Sequence, residues 1–443
     1  MLRKLVSIFK NKELRGRILF TLVIILIYRI GCTIVVPGVD SSSITFQGND
    51  LFTLMNVLGG GSLSSFSLFA LGISPYITAS IIVQLLSMGI LNNLKELNEQ
   101  GEKGRKKLDQ ATRYVAILLA AIQGYGIIKT METSYGLLPY GQEKFTTWNY
   151  IFITTALVAG SMFVMWLADK ITQSGIGNGT SMIIFTGIAA SIPNQFQTEY
   201  NTFVSFNGTS DEIFTGICKM GLYVLMYIAM IVFVVMIEKS VRKVPLQHSQ
   251  NTVKMGGDVN HFPIKLNPAG VMPVIFASSF MMAVVTILNL ISTSITNVEV
   301  QQGLNTASNV FNYSTKVGGV YWGLIIYVVL IFAFTFFWTN LQMNPKDLSE
   351  ELSRKNSFIP GIRSRTQTEK YVSGVINRIA FCGAILLILI AIVPVLLTIM
   401  FNLSSTLAFG GTSVIILVGV AVETNDQIDA KLAGKEHKGR IQG

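Results

Sequence analysis

Charge is the first thing this sequence has little of. Lys, Arg, Asp and Glu make up 13% of its 443 residues, and 50% are hydrophobic; an average soluble domain is about 25% charged. A soluble globular protein is excluded, and a polytopic membrane protein is what remains. Histidine is scarce as well. His248, His261 and His437 all fall in polar segments, so an intramembrane metalloprotease has no ligands within its spans. Cys32, Cys218 and Cys382 stand alone in apolar runs, without CxxC or Cys/His spacing. Neither a disulfide framework nor a zinc site is expected, and buried free thiols are. No GxSxG elbow and no GxxxxGK[ST] loop occurs. GIGNGTS (175–181) has the wrong glycine spacing for a phosphate loop and no strand before it. No acid is firmly placed at a span's midplane, where ion-coupled pumps bury one. Arg29 is the clearest ionisable residue in a span. It either lines a cavity or snorkels to an interface. No enzyme, metal or cofactor is expected.

Long apolar runs are abundant. Crossing a bilayer takes about 20 helical residues, and ten spans fit: 17–36, 74–92, 112–131, 150–169, 180–196, 213–238, 270–292, 319–341, 376–400 and 405–422. The net charge of +10 invites a nucleic-acid partner, but its placement argues otherwise. Basic residues crowd the head, the 2/3 loop, the 4/5 turn, the 6/7 loop, the 8/9 loop and the tail, which together hold 29 of the 34 Lys and Arg. The opposite loops are almost bare, with Lys144 and Lys316 the exceptions. Lys and Arg mark cytoplasmic loops. Ten spans with both termini in the cytoplasm therefore follow, and the charge is explained by orientation and anionic lipid rather than by specific nucleic-acid readout. No cleavable signal peptide is expected, because the first run is long enough to span and lacks a small-x-small site.

Four segments are expected: a cytoplasmic amphipathic head (1–16), an N-terminal half with spans 1–5 (17–197), a C-terminal half with spans 6–10 (198–422) and a cytoplasmic tail (423–443). Five spans per half, an odd number, require the halves to be inverted with respect to each other. Loops 239–269 and 342–375 are longer than turns need be and suit a cytoplasmic docking surface.

Residues 51–94 carry no charged side chain. Forty-four residues are too many for one span, and no polar loop divides them. Gly59, Gly60 and Gly61 open a stretch in which Leu63, Phe66 and Phe69 recur at helical spacing among serines. A short re-entrant helix over 59–69 is expected, broken from the second span at Gly72 and Pro75. Such non-spanning backbone is tolerated only where protein buries it or a water-filled cavity receives it.

At this point the motifs have a counterpart. PYITASIIVQLL (75–86), GEKGRKK (101–107), GIGNGTS, NPAGVMPVIFASS (267–279), FIPGIR (358–363) and FGGTS (409–413) resemble, in order, those of the SecY family, the central subunits of bacterial protein-conducting channels. The resemblance runs from YRIG (28–31) to the tail. It implies an all-α fold of ten transmembrane helices in two inverted five-helix halves around an hourglass pore, in the bacterial plasma membrane. It makes Gly59 to Phe69 a plug in the outer funnel. Ile77, Ile81, Thr180, Ile184, Ile275 and Ile416 match the pore ring, and spans 2 and 7, with 3 and 8 behind them, match the lateral gate. Arg242 and Lys243 in the 6/7 loop, and Arg363 and Arg365 in the 8/9 loop, match the docking site for the SecA motor ATPase and the ribosome. The resemblance also implies the small subunits SecE and SecG, and signal sequences, nascent polypeptides and membrane lipid as partners.

Physical chemistry agrees with these residue types. Ile77 and Ile81 are four apart and share a helix face. A neck of aliphatic groups excludes water and hydrated ions, and it offers a passing chain no strong hydrogen bonds. Two departures stand out. Thr180 puts a hydroxyl where the family often has an aliphatic residue, and the hydroxyl can bond to its own helix. The tip of the 6/7 loop is poor in basic residues. The alternative function is a secondary transporter of a small solute, with Gln84, Asn178 and Ser181 as candidate midplane groups.

Overall fold

Inside a hydrocarbon layer a backbone must satisfy its own hydrogen bonds, so spanning apolar runs become helices. The computed structural model describes residues 10–40, 44, 51–87, 97, 100, 102–135, 145–203, 210–248, 260–295, 297–312, 315–354, 357–360, 362, 366–401 and 406–441. The first half comprises α1 (Lys12–Gly31), α2 (Leu51–Leu58), α3 (Ser74–Leu85), α4 (Glu102–Tyr135), α5 (Thr147–Ser174) and α6 (Gly179–Phe203). The second comprises α7 (Ser210–Lys239), β1 (Val241–His248), β2 (Asn260–Lys265), α8 (Met272–Ser294), α9 (Val298–Phe311), α10 (Trp322–Gln342), α11 (Pro345–Arg354), β3 (Ser357–Phe358), α12 (Thr366–Phe401) and α13 (Thr406–Ile441).

Six described helices are long and apolar enough to cross a membrane: Lys106–Glu132, Thr147–Ser174, Ile213–Lys239, Met272–Ser292, Trp322–Gln342 and Gln367–Leu396. The other four expected spans fall on α1, α3, α6 and α13. Two of these outrun their expected limits. α6 continues to Phe203 through an internal Pro193. α13 continues from the membrane segment to Ile441 without a break at 423, because the tail is rich in Ala, Glu, Lys and Gln, all good helix formers.

The helix packing repeats with an offset of five spans. In the first half α3 packs on α4, α4 on α5, α5 on α6, and α1 on α5 and α6. In the second, α8 packs on α10, α10 on α12, α12 on α13, and α7 on α12 and α13. Two seams join the halves. α8 meets α3 and α4 along one, and α6 meets α7 and α13 along the other. Between the seams, α2 touches α6, α8 and α13. The outer face is apolar: Leu22 and Leu26 on α1, and Phe214, Leu225 and Met236 on α7, are all exposed, as lipid-facing side chains must be. Cys218 and Cys382 are exposed too, and only Cys32 is buried, a correction to the expectation of three buried thiols.

The helical bundle carries a small sheet in its loops. β2, β1 and β3 lie in that order, antiparallel, with Val241 opposite Lys265 and Gln247 opposite Phe358. The 6/7 loop is thus a hairpin, and the 8/9 loop adds its third strand. Val244, Leu246 and Ile264 turn inward onto Leu352, Ile359, Val372 and Ile376, which joins both long loops in one apolar core.

The expected helix over 59–69 is corrected. The helix lies earlier, at α2, and residues 59–73 form successive turns. The serines account for this. The Ser64 and Ser65 hydroxyls both donate to the Gly61 carbonyl, at 2.8 and 2.9 Å, and such local bonds compete with a helix. Phe66 adopts φ +41°, a left-handed conformation that costs a non-glycine residue about 1–2 kcal/mol. Its ring is fully buried beside Leu63 and Val36, which offsets that cost. The segment also borrows partners from the chain leaving α1. Val36 N donates to Phe66 O at 3.1 Å, and Leu68 N donates to Ile34 O at 2.9 Å. Val35 and Ser67 face each other as an antiparallel bridge of the non-hydrogen-bonded kind, with Cα atoms about 4.5 Å apart. That is within disulfide range. A Val35→Cys/Ser67→Cys variant of a cysteine-free background is expected to form an intramolecular disulfide under mild oxidation, read by a mobility shift on gels. Absence of the shift, with both thiols alkylated in full, would contradict the bridge.

Candidate functional site

A narrow cavity of about 30 Å³ lies where α2, α3, α6 and α8 converge, room for about two waters at most. Ile77, Ile184 and Ile275 line it, together with Tyr28, Met55 and Met282. Ile81 and Ile416 belong to the same buried cluster. These five isoleucines come from four helices, two in each half, and none is more than 5% exposed. The lining is mostly aliphatic, with Ser74, Ser279 and Tyr28 as its polar members. The sixth residue of the expected ring, Thr180, is half-buried on the first turn of α6, where its N–H donates to Asn178 Oδ1 at 3.1 Å. Like Ile81 and Ile416, it does not line the cavity. Asn178 caps the helix there, and position 180 lies one turn before Ile184, as Ile77 lies one turn before Ile81.

The segment 59–73 sits against this neck. Leu63, Phe66 and Phe69 are all buried. Phe69 stacks on Tyr28 at 6.0 Å and on Phe163 at 5.9 Å between ring centroids. Its carbonyls are met by side chains of the first half. The Tyr28 hydroxyl donates to Gly59 O at 3.5 Å, Arg29 Nη1 to Gly60 O at 3.0 Å, and the Ser161 hydroxyl to Gly72 O at 3.1 Å. Arg29 therefore turns to the segment rather than snorkelling. Asn56 Oδ1 on α2 accepts from Ser64 N at 2.8 Å.

The backbone contact is close because glycines face it. A Cβ on Gly187 of α6 would stand 2.0 Å from Leu58 O, and one on Gly160 of α5 would stand 1.9 Å from Leu68 O. Any side chain at either position would push the segment off its seat. The seat is incompletely satisfied, however. Ser62 and Ser67 are fully buried, and their hydroxyls have no hydrogen-bond partner among the described residues. An unsatisfied buried polar group costs about 1–3 kcal/mol.

At the other end, Arg242 and Lys243 are exposed on β1. Arg363 and Arg365 lie outside the described residues. The NPAG turn links the sheet to α8. Asn267 Nδ2 donates to Glu238 Oε1 at 2.8 Å and to Gly270 O at 2.9 Å, and Lys265 Nζ bonds Asp426 Oδ2 on α13 at 2.7 Å. Among the described residues no group of three His, Cys, Asp or Glu converges on a metal position.

Sequence reasoning missed Met55, Ile73, Ile183 and Met282 in the lining. The signal for Met55 was present in the uncharged run from 51, whose first eight residues form an apolar helix. Nothing in the local sequence separates Ile183 from its neighbour Ile184.

Three comparisons bear on what such a site does. The SecY family model matches residues 67–425. Protein translocase subunit SecY of Bacillus subtilis is 38% identical over 445 residues, 99% of each chain. The protein of the same name from Staphylococcus carnosus is 38% identical over 444 residues, again 99% of each. Among solved structures, a protein-conducting channel superposes with a TM-score of 0.68 at 18% identity, over 94% of this chain and 91% of that one. Sec61 from the canine ribosome–channel complex gives 0.66 at 16% identity, with the same coverage. A mostly aliphatic neck drawn from two five-helix halves, a turn-built segment seated against it and relatives matching end to end lead to one conclusion: this chain belongs to the SecY family.

Proposed function

We propose that Ile77, Ile81, Ile184, Ile275 and Ile416 form the constriction of a protein-conducting pore, that 59–73 is its plug, and that the seam between α3 and α8 is its lateral gate. The carrying observation is that these isoleucines come from both halves yet share one buried apolar cluster. A change of angle between the halves would therefore widen the neck. Aliphatic walls exclude hydrated ions from an empty pore and hold no particular sequence in an occupied one. Sideways opening along the seam would let an apolar segment move into lipid, where burying its side chains stabilises it. Thr180, one turn before Ile184, is the sixth member of this ring and adds its one hydroxyl.

The relatives named as translocase subunits, and the solved channel of the canine ribosome complex, support the wider assignment. In this reading the chain sits in the bacterial plasma membrane with both termini in the cytoplasm. It translocates unfolded secretory polypeptides and releases membrane segments of nascent chains into lipid. The force comes from SecA or the ribosome, docked on the sheet and on the basic residues Arg242, Lys243, Arg363 and Arg365, and SecE and SecG brace the halves. The joining of the two long loops in one sheet supports a common docking surface. The solute-transporter alternative is not supported. Gln84 Nε2 bonds Ser80 and Asn178 caps α6, while the Ser181 hydroxyl and Gln84 Oε1 are buried without a partner among the described residues; the relatives are named as translocase subunits, not solute carriers.

Replacing Ile81 and Ile275 with Asn is expected to raise the resting ion conductance in planar bilayers several-fold; conductance equal to the parent's would remove the ring assignment. A stalled secretory chain carrying a photoreactive group is expected to label a peptide containing Ile184 or Ile416. Labelling confined to lipid-facing positions such as Leu225 would remove the pore itself.

A further inference from the structure

We infer that Arg29 is the latch that holds the plug in its closed seat. The inference deepens the proposed function and rests on 59–73 being the plug. Arg29 lies in the last turn of α1, on a side of the protein whose loops are nearly free of basic residues. Among the described residues its one hydrogen-bond partner is Gly60 O, at 3.0 Å. The contact is confined on both sides. A Cβ on Gly60 would stand 2.4 Å from Arg29 Nη1 and 2.9 Å from the Gly187 Cα. Gly60 also holds φ +66°, a conformation that glycine adopts without steric cost. The guanidinium and the α6 backbone thus grip one residue between them, and only glycine fits.

Elsewhere the segment is held by neutral bonds, from Ser161 to Gly72 O, from Ser64 N to Asn56 and to the chain leaving α1, but around Gly60 the other contacts are poor. Tyr28 reaches Gly59 O only at 3.5 Å, the Ser62 and Ser67 hydroxyls are unsatisfied, and Phe66 is strained. Against these, a charge-assisted bond from a planar guanidinium is among the strong ones. When the plug leaves, the carbonyl finds water, but the half-buried guanidinium loses its protein acceptor. Arg29 therefore favours the plug's return. It acts as a positioning residue: it touches the plug, while the seal is made by the isoleucines.

The test is resting conductance in planar bilayers, with the Val35→Cys/Ser67→Cys disulfide yield as a second readout of plug position. Arg29→Leu is expected to raise resting leak about ten- to a hundredfold, the range for loss of a hydrogen bond to a charged group, and to lower the disulfide yield. Arg29→Lys, which keeps a donor but not the planar fork, is expected to fall between. Gly60→Ala, which inserts a methyl into the grip, is expected to leak like Arg29→Leu, with the double variant no worse than either. Should Arg29→Leu fail to fold, Gly60→Ala and Arg29→Lys carry the same comparison. Deletion of 60–67 separates the two levels. If the deletion leaks while Arg29→Leu and Gly60→Ala are as tight as the parent, the latch is wrong and the plug stands. If the deletion is also tight, the plug assignment fails and takes the latch with it. If Arg29→Leu adds further leak in the deletion background, Arg29 acts on the pore directly and the latch is wrong.

Discussion

A peptide group in an apolar interior without a hydrogen-bond partner costs several kcal/mol, and residues 59–73 put fifteen residues of turns among spanning helices. Much of the first half answers that constraint. The chain leaving α1 lends two backbone bonds through Ile34 and Val36. Tyr28, Arg29 and Ser161 cap carbonyls, and Asn56 receives an N–H. Gly160 and Gly187 clear the helix faces so that the backbone can come close enough to be buried at all. A helix in this place would have needed none of these arrangements. It would also have packed as another rigid rod, with nothing to release.

The same segment is held without being locked. Two buried serine hydroxyls lack partners, and one aromatic residue sits in a left-handed conformation. Such defects cluster where a structure must leave its ground state. Deep apolar burial of Leu63, Phe66 and Phe69 draws the segment in, and poor polar satisfaction keeps the well shallow. The isoleucine neck works on the opposite principle. Its isoleucines are buried, come from both halves and need no polar partners.

Those halves meet along two seams of different character. At one, α6 and α7 meet next to the loop that connects the halves. At the other, α8 lies on α3 and α4, which are remote from it in sequence. Movement about the first would open the second. The sheet is coupled to both seams, because β2 leads through Asn267 into α8, and the Asn267–Glu238 bond ties that turn to the end of α7. A load on the hairpin would therefore reach the base of α8.

The membrane class and the count of spans follow from the sequence alone, because hydropathy acts locally and needs no partner. The choice of Ile77, Ile81, Ile184, Ile275 and Ile416 was legible only through motif resemblance, since isoleucine is common in every span and burial around a shared neck is a property of several helices at once. The non-spanning segment 59–73 was legible as part of an uncharged run too long for one span. Its form was not. Helical spacing of Leu63, Phe66 and Phe69 pointed to a helix, and serine bonding to Gly61, together with pairing to Ile34 and Val36, overrode it. The sheet was equally hidden, for its third strand comes from a loop about a hundred residues away. Only the tertiary structure decided where Arg29 points, because an arginine near a helix end can reach either water or a carbonyl, and which it reaches depends on the backbone packed beside it.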